Sequence, residues 1–574
     1  MTVREEAQKL FDQFVVAGDD GKSDYFSLIK ELVRRRSQSG DARWQQELEA
    51  AYTLLEGEIL HNVGAPVEPV KFGTSGWRGL LGKEVFVRTV ACVTAAIVEM
   101  YDTADQALLQ QLGVADGQDA RRKGCVVGHD NRFGGDIFSA VVCKVVSDAG
   151  FIVHYAGEST TGVLSAAVLE LGAAFSINLT PSHNPLEYGG YKFNAADAGP
   201  AAAEVTQTIT RLAGRFVASD LSFDPEGLKR LDPTTLPGVS GLDSLSLWKR
   251  LVRENKDVHG LDLDQIMKRL CDNDQLVVAV DSVHGAARVH MAQLLPVCDR
   301  VILLRDTADV TFGGIAPEPS SANMRIIHAA LKARPEPLKL GAIIDPDGDR
   351  IRFTDGDSDI SMNQFGAMAY HFLVVYKKKK GMVAKTVATS NMANRLAEVF
   401  GEELFEPRVG FKEFKPVIGR ALVLFEESDG ISIIGHTPEK DAYIGLLLAL
   451  DMVLTTGMSL GAYRDQIEKE FGAFYPDKDG VTVNLKGKEL LDKLGELERY
   501  GPGVELTVGS ERKTIAQVIT IDGRKMIFAD GSWLMIRPSG TEPKVRFYVE
   551  SRTASGTADL VATARGLLER IGLI

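Results

Sequence analysis

Ala173-Ala174-Phe175-Ser176-Ile177-Asn178-Leu179 runs without a charge into Thr180-Pro181-Ser182-His183-Asn184-Pro185. The first part is short, apolar and bounded by polar residues, the pattern of a buried strand. Prolines at both ends of the second part fix φ and disfavour helix just before each of them. A stiff, irregular loop off a strand end results, able to hold the Ser182 hydroxyl in a set direction with the His183 imidazole beside it. An ordinary Pro-Ser-Asn turn has the same composition, so the surroundings decide the reading.

The same arrangement, apolar strand into polar loop, recurs on both sides. Val70-Lys71-Phe72 leads into Gly73-Thr74-Ser75-Gly76-Trp77-Arg78-Gly79, with a helical stretch at 85–100. Cys125-Val126-Val127 ends in Gly128-His129-Asp130-Asn131-Arg132, and Phe151-Ile152-Val153 starts a further strand. Such alternation predicts α/β layers with largely parallel sheets, in which ligands collect at the carboxyl ends of strands. After a Gly/Ser-containing linker at 238–244, the strand 276–280 runs into Asp281-Ser282-Val283-His284-Gly285, and the strand 340–344 into an acidic loop. A third unit holds 382–388, the turn Val409-Gly410-Phe411-Lys412, and the strand 421–425 before Glu426-Glu427-Ser428-Asp429-Gly430, with a helix after Asp441. Tyr475-Pro476-Asp477 reads as a boundary. Beyond it, alternating strands at 481–485, 533–536 and 545–549 precede an amphipathic helix, an α+β pattern. Ahead of all this, Tyr25, Leu28, Ile29, Leu32 and Val33 form one helical stripe and Trp44, Leu48, Ala51 and Leu55 another. The expected division is a helical extension at 1–65, α/β domains at 66–240, 241–355 and 356–475, and an α+β domain at 476–574.

A chain of 574 residues is too long for one core, and the size prior suggests about three to five domains. Its net charge of −13 argues against a general nucleic-acid or membrane-surface binder, while permitting a local basic pocket for an anionic metabolite. Cys92, Cys125, Cys143, Cys271 and Cys298 show no close pairing, so neither a CxxC metal site nor a disulfide framework is indicated. Scattered thiols fit a reducing cytosol. The first residues lack the apolar core of a signal peptide, and the apolar stretch 444–450 ends at Asp451, too short to span a bilayer. These features predict a soluble, cytoplasmic protein with neither nucleic-acid nor membrane partners.

Three clusters carry further chemistry. In Asp345-Pro346-Asp347-Gly348-Asp349-Arg350 the carboxylates at alternate positions can converge on one hard cation, and an oxygen-only set suits Mg²⁺. An EF-hand is excluded, because Arg350 and Gly356 stand where that loop needs Gly and Glu. Arg350 is suited to a phosphate oxygen. In Arg537-Pro538-Ser539-Gly540-Thr541-Glu542-Pro543, the guanidinium, the Ser539 and Thr541 hydroxyls and the amides around Gly540 form a phosphate cradle, to which Arg546 adds a second cation. Glu426-Glu427-Ser428 can accept hydrogen bonds from sugar hydroxyls. His129, Asp130, Arg132 and His284 are lone polar residues at strand ends. Taken jointly, the chain offers a hydroxyl nucleophile, a divalent-metal loop, a sugar-hydroxyl reader and a phosphate clamp.

In this order, from residue 70 to the C-terminus, the motifs resemble those of the α-D-phosphohexomutases, the phosphoglucomutase and phosphomannomutase group. The resemblance implies four domains around a central cleft: three α/β units with mixed, mostly parallel sheets, and a C-terminal α+β domain. It implies an isomerase in which Ser182, phosphorylated at rest, is the fourth ligand of a Mg²⁺ held by Asp345, Asp347 and Asp349. Ser182 would give its phosphoryl group to a hexose phosphate, making a bound 1,6-bisphosphate that reorients and returns the other one. Arg78, Lys192 and Arg350 would neutralise charge. His183, Lys192 and His129 are candidate bases for the hydroxyl proton. Lys412, Arg537, Ser539, Gly540, Thr541 and Arg546 would hold the phosphate not being transferred, and Glu426, Ser428 and Lys440 the sugar.

Two residues depart from the pattern of similar members, which usually carry Gly where Phe425 and Asp429 stand; altered backbone freedom and pocket shape are expected. The Glu-Glu-Ser form, with Pro438-Glu439-Lys440-Asp441 downstream, is closer to the glucose-type enzymes. The expected reaction interconverts glucose 1-phosphate and glucose 6-phosphate, with glucose 1,6-bisphosphate as activator and intermediate. Phosphomannomutase and phosphoglucosamine mutase activities are the alternatives within the family. A catalytically silent sugar-phosphate binder and a stand-alone phosphatase are the alternatives outside it. Monomer and homodimer both stay open, and an oligomer contact is one option for the helical extension.

Overall fold

The computed structural model describes residues 2–16, 18, 22–73, 76–219, 221, 224–539 and 544–574. The first sheet has six strands in the order Trp77–Leu80, Tyr188–Ala195, Phe175–Leu179, Cys125–His129, Val153–Glu158 and Val239–Gly241. Its first two pairings are antiparallel and the rest parallel. The second sheet runs Asp359–Ile360, Ile351–Thr354, Leu338–Ile344, Leu276–Asp281, Val301–Leu304, and the third Leu404–Phe405, Val383–Lys385, Val423–Glu426, Gly430–Ile433. Each again mixes parallel pairings with antiparallel ones at a single edge. Every residue of Phe175–Leu179 and of Leu276–Asp281 is buried, as helices on both faces of a parallel sheet require.

The fourth sheet differs. Its six strands are antiparallel, and Glu505–Val508 alternates exposed and buried residues because one face is solvated. The terminal helix Ala554–Arg570, capped by Thr553, covers the other face with Leu560, Ala564, Leu567 and Leu568. The expected fold class, three mixed α/β units and a C-terminal α+β domain, is the fold observed.

One segment departs from its sequence reading. The stretch at 238–244 is no linker: Val239–Gly241 is an edge strand parallel to Val153–Glu158, and the Gly238 carbonyl accepts from Val153 N–H at 2.9 Å. Its glycine and serine content conceals a buried Val239 that completes the sheet. Tyr475-Pro476-Asp477 opens the strand Tyr475–Thr482, the first in chain order of the fourth sheet, where Pro476 is tolerated because the strand is at an edge and pairs on one side only.

The N-terminal helices Val3–Phe14, Tyr25–Ser39 and Arg43–His61 bury both apolar stripes in the same core as the first sheet. They also reach the second domain, where Arg36 donates to Thr311 Oγ1 at 3.2 Å. The second and third sheets share a core, and the fourth has its own. No single helix among the described residues is long and apolar enough to cross a bilayer.

Candidate active site

The loop after Phe175–Leu179 turns at Ser182, whose φ is +59°. For a residue with a side chain this left-handed conformation costs about 1–3 kcal/mol and persists only if the surroundings impose it. They do so from both sides. The Ser182 N–H donates to Thr180 Oγ1 at 2.8 Å, and that hydroxyl donates to Asp130 Oδ2 at 2.6 Å. Arg132 donates to the carbonyls of Ser182 at 2.7 Å and Pro185 at 2.5 Å, and also to that of Asn184. Its guanidinium lies 4.8 Å above the Phe312 ring. Asp130 and Arg132 follow the strand Cys125–His129, which pairs with Phe175–Leu179 so that His129 stands opposite Leu179. In sequence they were only polar residues at a strand end; the Asp-x-Arg spacing beside the serine-bearing strand was the available signal.

Ser182 Oγ donates to Asp345 Oδ2 at 3.0 Å and lies 3.3 Å from His183 Nδ1. Asp345, Asp347 and Asp349 each offer an oxygen within 4.8 Å of the others, and all three are buried. Asp347 Oδ1 and Asp349 Oδ1 have no hydrogen-bond partner among the described residues. Burial, then Asp347 and Asp349, push the Asp345 carboxyl well above the usual range. Burial acts the same way on Asp349, but Lys192, Lys440 and Arg350 outweigh it and hold that group well below. Converging buried carboxylates with unpaired oxygens suit a small hard dication.

The loop carrying them is pinned by three domains. Thr161 donates to Asp347 through its N–H at 2.8 Å and its hydroxyl at 2.8 Å. Ala286 N–H meets the Pro346 carbonyl at 2.7 Å, and Ala442 N–H the Gly348 carbonyl at 3.0 Å. Gly348 has φ +64°, and a Cβ there would lie 2.5 Å from the Thr160 methyl.

Cations surround the acids. Lys192 Nζ is 2.5 Å from Asp347 Oδ2 and 2.8 Å from Asp349 Oδ2. Burial opposes its charge, yet the two aspartates keep it above the ordinary lysine range. Lys440 Nζ bridges Asp349 at 3.2 Å and Glu426 at 3.6 Å, and Arg350 Nε is 3.6 Å from Asp349. Arg78, on Trp77–Leu80, is lowered by burial and by Arg350, and drawn back by the three aspartates. Burial, then Arg350 and Arg78, hold His183 well below the usual imidazole range. His129 is turned elsewhere: its Nδ1 lies 2.8 Å from the Asp130 carbonyl, and its charged neighbours are Asp136 and Arg288.

At the sugar-loop position, Ser428 donates to Glu426 Oε1 at 2.7 Å, and that oxygen lies 3.6 Å from Lys440 Nζ. Glu427 faces away, accepting from Thr386 at 2.8 Å and Thr389 at 3.2 Å, while its carbonyl accepts from Lys478 of the fourth sheet at 3.0 Å. Phe425 does not shape the cleft. Strand alternation turns its ring into the core against Gly366, where a Cβ would lie 2.1 Å from it. Asp429 keeps φ +72° without being glycine, held by Arg352 at 2.8 Å. On the fourth domain, Arg537 donates to Asp522 at 3.0 Å, Ser539 N–H to the Lys544 carbonyl at 2.8 Å, and Arg546 stands opposite Arg537. Gly540 and Thr541 lie outside the described residues. Lys412 is half-buried in the turn Phe411–Val417.

Four family models match the chain in succession. They are Phosphoglucomutase/phosphomannomutase alpha/beta/alpha domain I over 69–215, domain II over 259–358, domain III over 361–471, and the C-terminal domain over 484–566. The chain belongs to the phosphoglucomutase/phosphomannomutase family. This family's members are isomerases that move a phosphoryl group, and the chain is one of that enzyme class. A phosphoglucomutase of Komagataeibacter xylinus is 27% identical over 432 residues, covering 69% of this chain and 74% of the relative. A phosphoglucosamine/phosphogalactosamine mutase of Sulfurisphaera tokodaii is 24% identical, covering 87% and 99%. Among solved structures, a putative phosphomannomutase from Thermus thermophilus superposes with TM-score 0.67 at 25% identity, covering 88% of this chain and 99% of that one. Phosphoglucomutase/phosphomannomutase relatives at this distance thus carry several sugar names.

Proposed function

We propose that the chain catalyses reversible phosphoryl transfer between the 1- and 6-positions of a hexose phosphate, with glucose 1-phosphate and glucose 6-phosphate the preferred pair. The observation that carries this is the placement of Ser182 Oγ 3.0 Å from Asp345 within a buried triad in which Asp347 Oδ1 and Asp349 Oδ1 lack hydrogen-bond partners among the described residues. Ser182 bears the phosphoryl group between turnovers. Asp345, Asp347 and Asp349 would hold Mg²⁺, with Ser182 completing the set. Bound there, the ion supplies neutralisation of charge on the transferring phosphoryl oxygens.

The chain's own residues do the rest. Glu426, Ser428 and Lys440 orient the sugar, and Arg537, Ser539, Gly540, Thr541, Arg546 and Lys412 hold the phosphate that is not moving. The free sugar hydroxyl attacks phosphorus, the bond to Ser182 Oγ breaks, and a 1,6-bisphosphate forms. Its reorientation presents the other phosphate to Ser182 for the return step. Arg78, Lys192 and Arg350 balance the charge. His183, beside Ser182 Oγ at 3.3 Å, is better placed than His129 to take the hydroxyl proton. Buried unpaired Cys92, Cys125 and Cys143 support a cytoplasmic setting.

The test is turnover of glucose 1-phosphate, mannose 1-phosphate and glucosamine 1-phosphate side by side, with Mg²⁺ and a trace of glucose 1,6-bisphosphate. Glucose is expected ahead, with activity lost on chelation. Ser182→Ala is expected to lose about 10³-fold or more in kcat. Full turnover by that variant would sink the mechanism.

A further inference from the structure

The helix Arg43–His61, Phe133 of the first domain and the segment 307–311 of the second line an open cavity of about 620 Å³. That is the size of a small-molecule site. Ser182, the three aspartates, Lys192 and Lys440 all lie outside its lining. Its floor is aromatic: the rings of Tyr52 and Phe133 lie 4.6 Å apart, tilted by 40°. Tyr52 is 8% exposed, and its hydroxyl has no hydrogen-bond partner among the described residues. The ring is buried, while the hydroxyl itself opens on the cavity and is free to donate to a ligand.

The polar wall narrows the chemistry. Arg36 is already committed to Gln45 at 2.6 Å, Thr311 at 3.2 Å and Asp309 at 3.6 Å. Glu56 is paired with Lys229. Glu49 accepts from Gln45 Nε2 at 3.1 Å and keeps a second carboxylate oxygen for a ligand. Three carboxylates line the cavity against one engaged guanidinium, which repels a phosphate. An aromatic face beside a phenol and a carboxylate suits a ring with an apolar side and several hydroxyls.

Both walls adjoin the group that grips the serine loop. Phe133 follows Arg132, and Thr311 precedes Phe312, whose ring lies under the Arg132 guanidinium. Four residues with side chains, Val283, His284, Arg305 and Phe312, take φ between +42° and +57° in these loops. Strain of this kind gathers at functional sites. We propose that the cavity is an effector site for an unphosphorylated sugar ring, and that its occupancy stiffens the serine loop through Arg132.

Hydrogen–deuterium exchange on the full chain tests this, with maltose as probe up to concentrations on the order of 10 mM. Slower exchange is expected at 43–61 and 305–314, and with it at 180–188. Tyr52→Phe keeps the ring and removes the hydroxyl, and should raise the half-saturating concentration about tenfold. Glu49→Gln, at an exposed position, should raise it too. Exchange unchanged at 43–61, or slowed equally in both variants, would overturn the site. Protection there without any change at 180–188 would overturn the effector role. Glucose 1-phosphate as counter-probe should protect 345–350 and leave 43–61 alone; protection of 43–61 by it would overturn the assignment of an uncharged ligand.

Discussion

Arg132 touches carbonyl groups of the serine loop and holds Ser182 in a conformation that it would not keep unaided. Only a planar fork of donors reaches several acceptors at once, so a lysine is no substitute. Arg132→Lys is expected to lower kcat by about 10²-fold, the scale of a nucleophile displaced by an ångström, with KM near its original value. Steady-state kinetics decide it: a raised KM at unchanged kcat would assign Arg132 to substrate binding instead. Ser182 and the aspartates were legible in sequence because hydroxyls and carboxylates carry their chemistry in the side chain. The grip on Ser182 was not, since its acceptors are backbone carbonyls some 50 residues from Arg132, and a carbonyl leaves no mark in a sequence.

At the scale of elements, the turn between Val423–Glu426 and Gly430–Ile433 shows a local rule broken and compensated. Asp429 stands at φ +72°, and its carboxylate meets Arg352, whose side chain is 18% exposed. Asp429→Gly relieves about 1 kcal/mol of backbone strain. It also leaves a largely buried guanidinium without its partner, a loss of about 3–5 kcal/mol. A net loss of about 2 kcal/mol or more is expected in urea unfolding, with most of it recovered in Asp429→Gly/Arg352→Met. An undiminished single variant would show that the ion pair contributes nothing. Alternation along the same strand explains why Phe425, read as part of the pocket, belongs to the core. Pattern identified strands reliably where apolar runs were long, as at 276–281, and failed at Val239–Gly241, where glycine and serine mimic a linker.

Across the whole molecule, the order of the motifs was enough to place four domains around one cleft, but not to show how the domains are joined. The junction of the third and fourth uses Lys525, buried with its Nζ 4.1 Å above the Trp533 ring and 2.8 Å from the Val387 carbonyl. Asn391 N–H and Trp533 Nε1 both donate to Glu550 Oε1, at 3.0 and 2.8 Å. No periodicity announces such residues, because their partners lie on another domain. Burial, then Lys385, bring the Lys525 ammonium down to about 7. Its unfolded value is about 10.4, so the unfolded chain binds more protons between the two. The contribution to stability is therefore present above pH about 10.4 and lost as pH falls to about 7. Thermal unfolding of the fourth domain should move to higher temperature as pH rises through this window. Lys525→Met should flatten that slope, and a slope unchanged in the variant would assign it to other groups.

Gly348 presses the loop of the second domain against Thr160 of the first with no carbon between them. How near Ser182 stands to Asp345 is thus gauged by how closely the two domains can be brought together. The chain sets that clearance by omitting an atom. A single methyl group at this position would act as a wedge, opening the gap between nucleophile and carboxylates while every residue that performs the chemistry stayed the same.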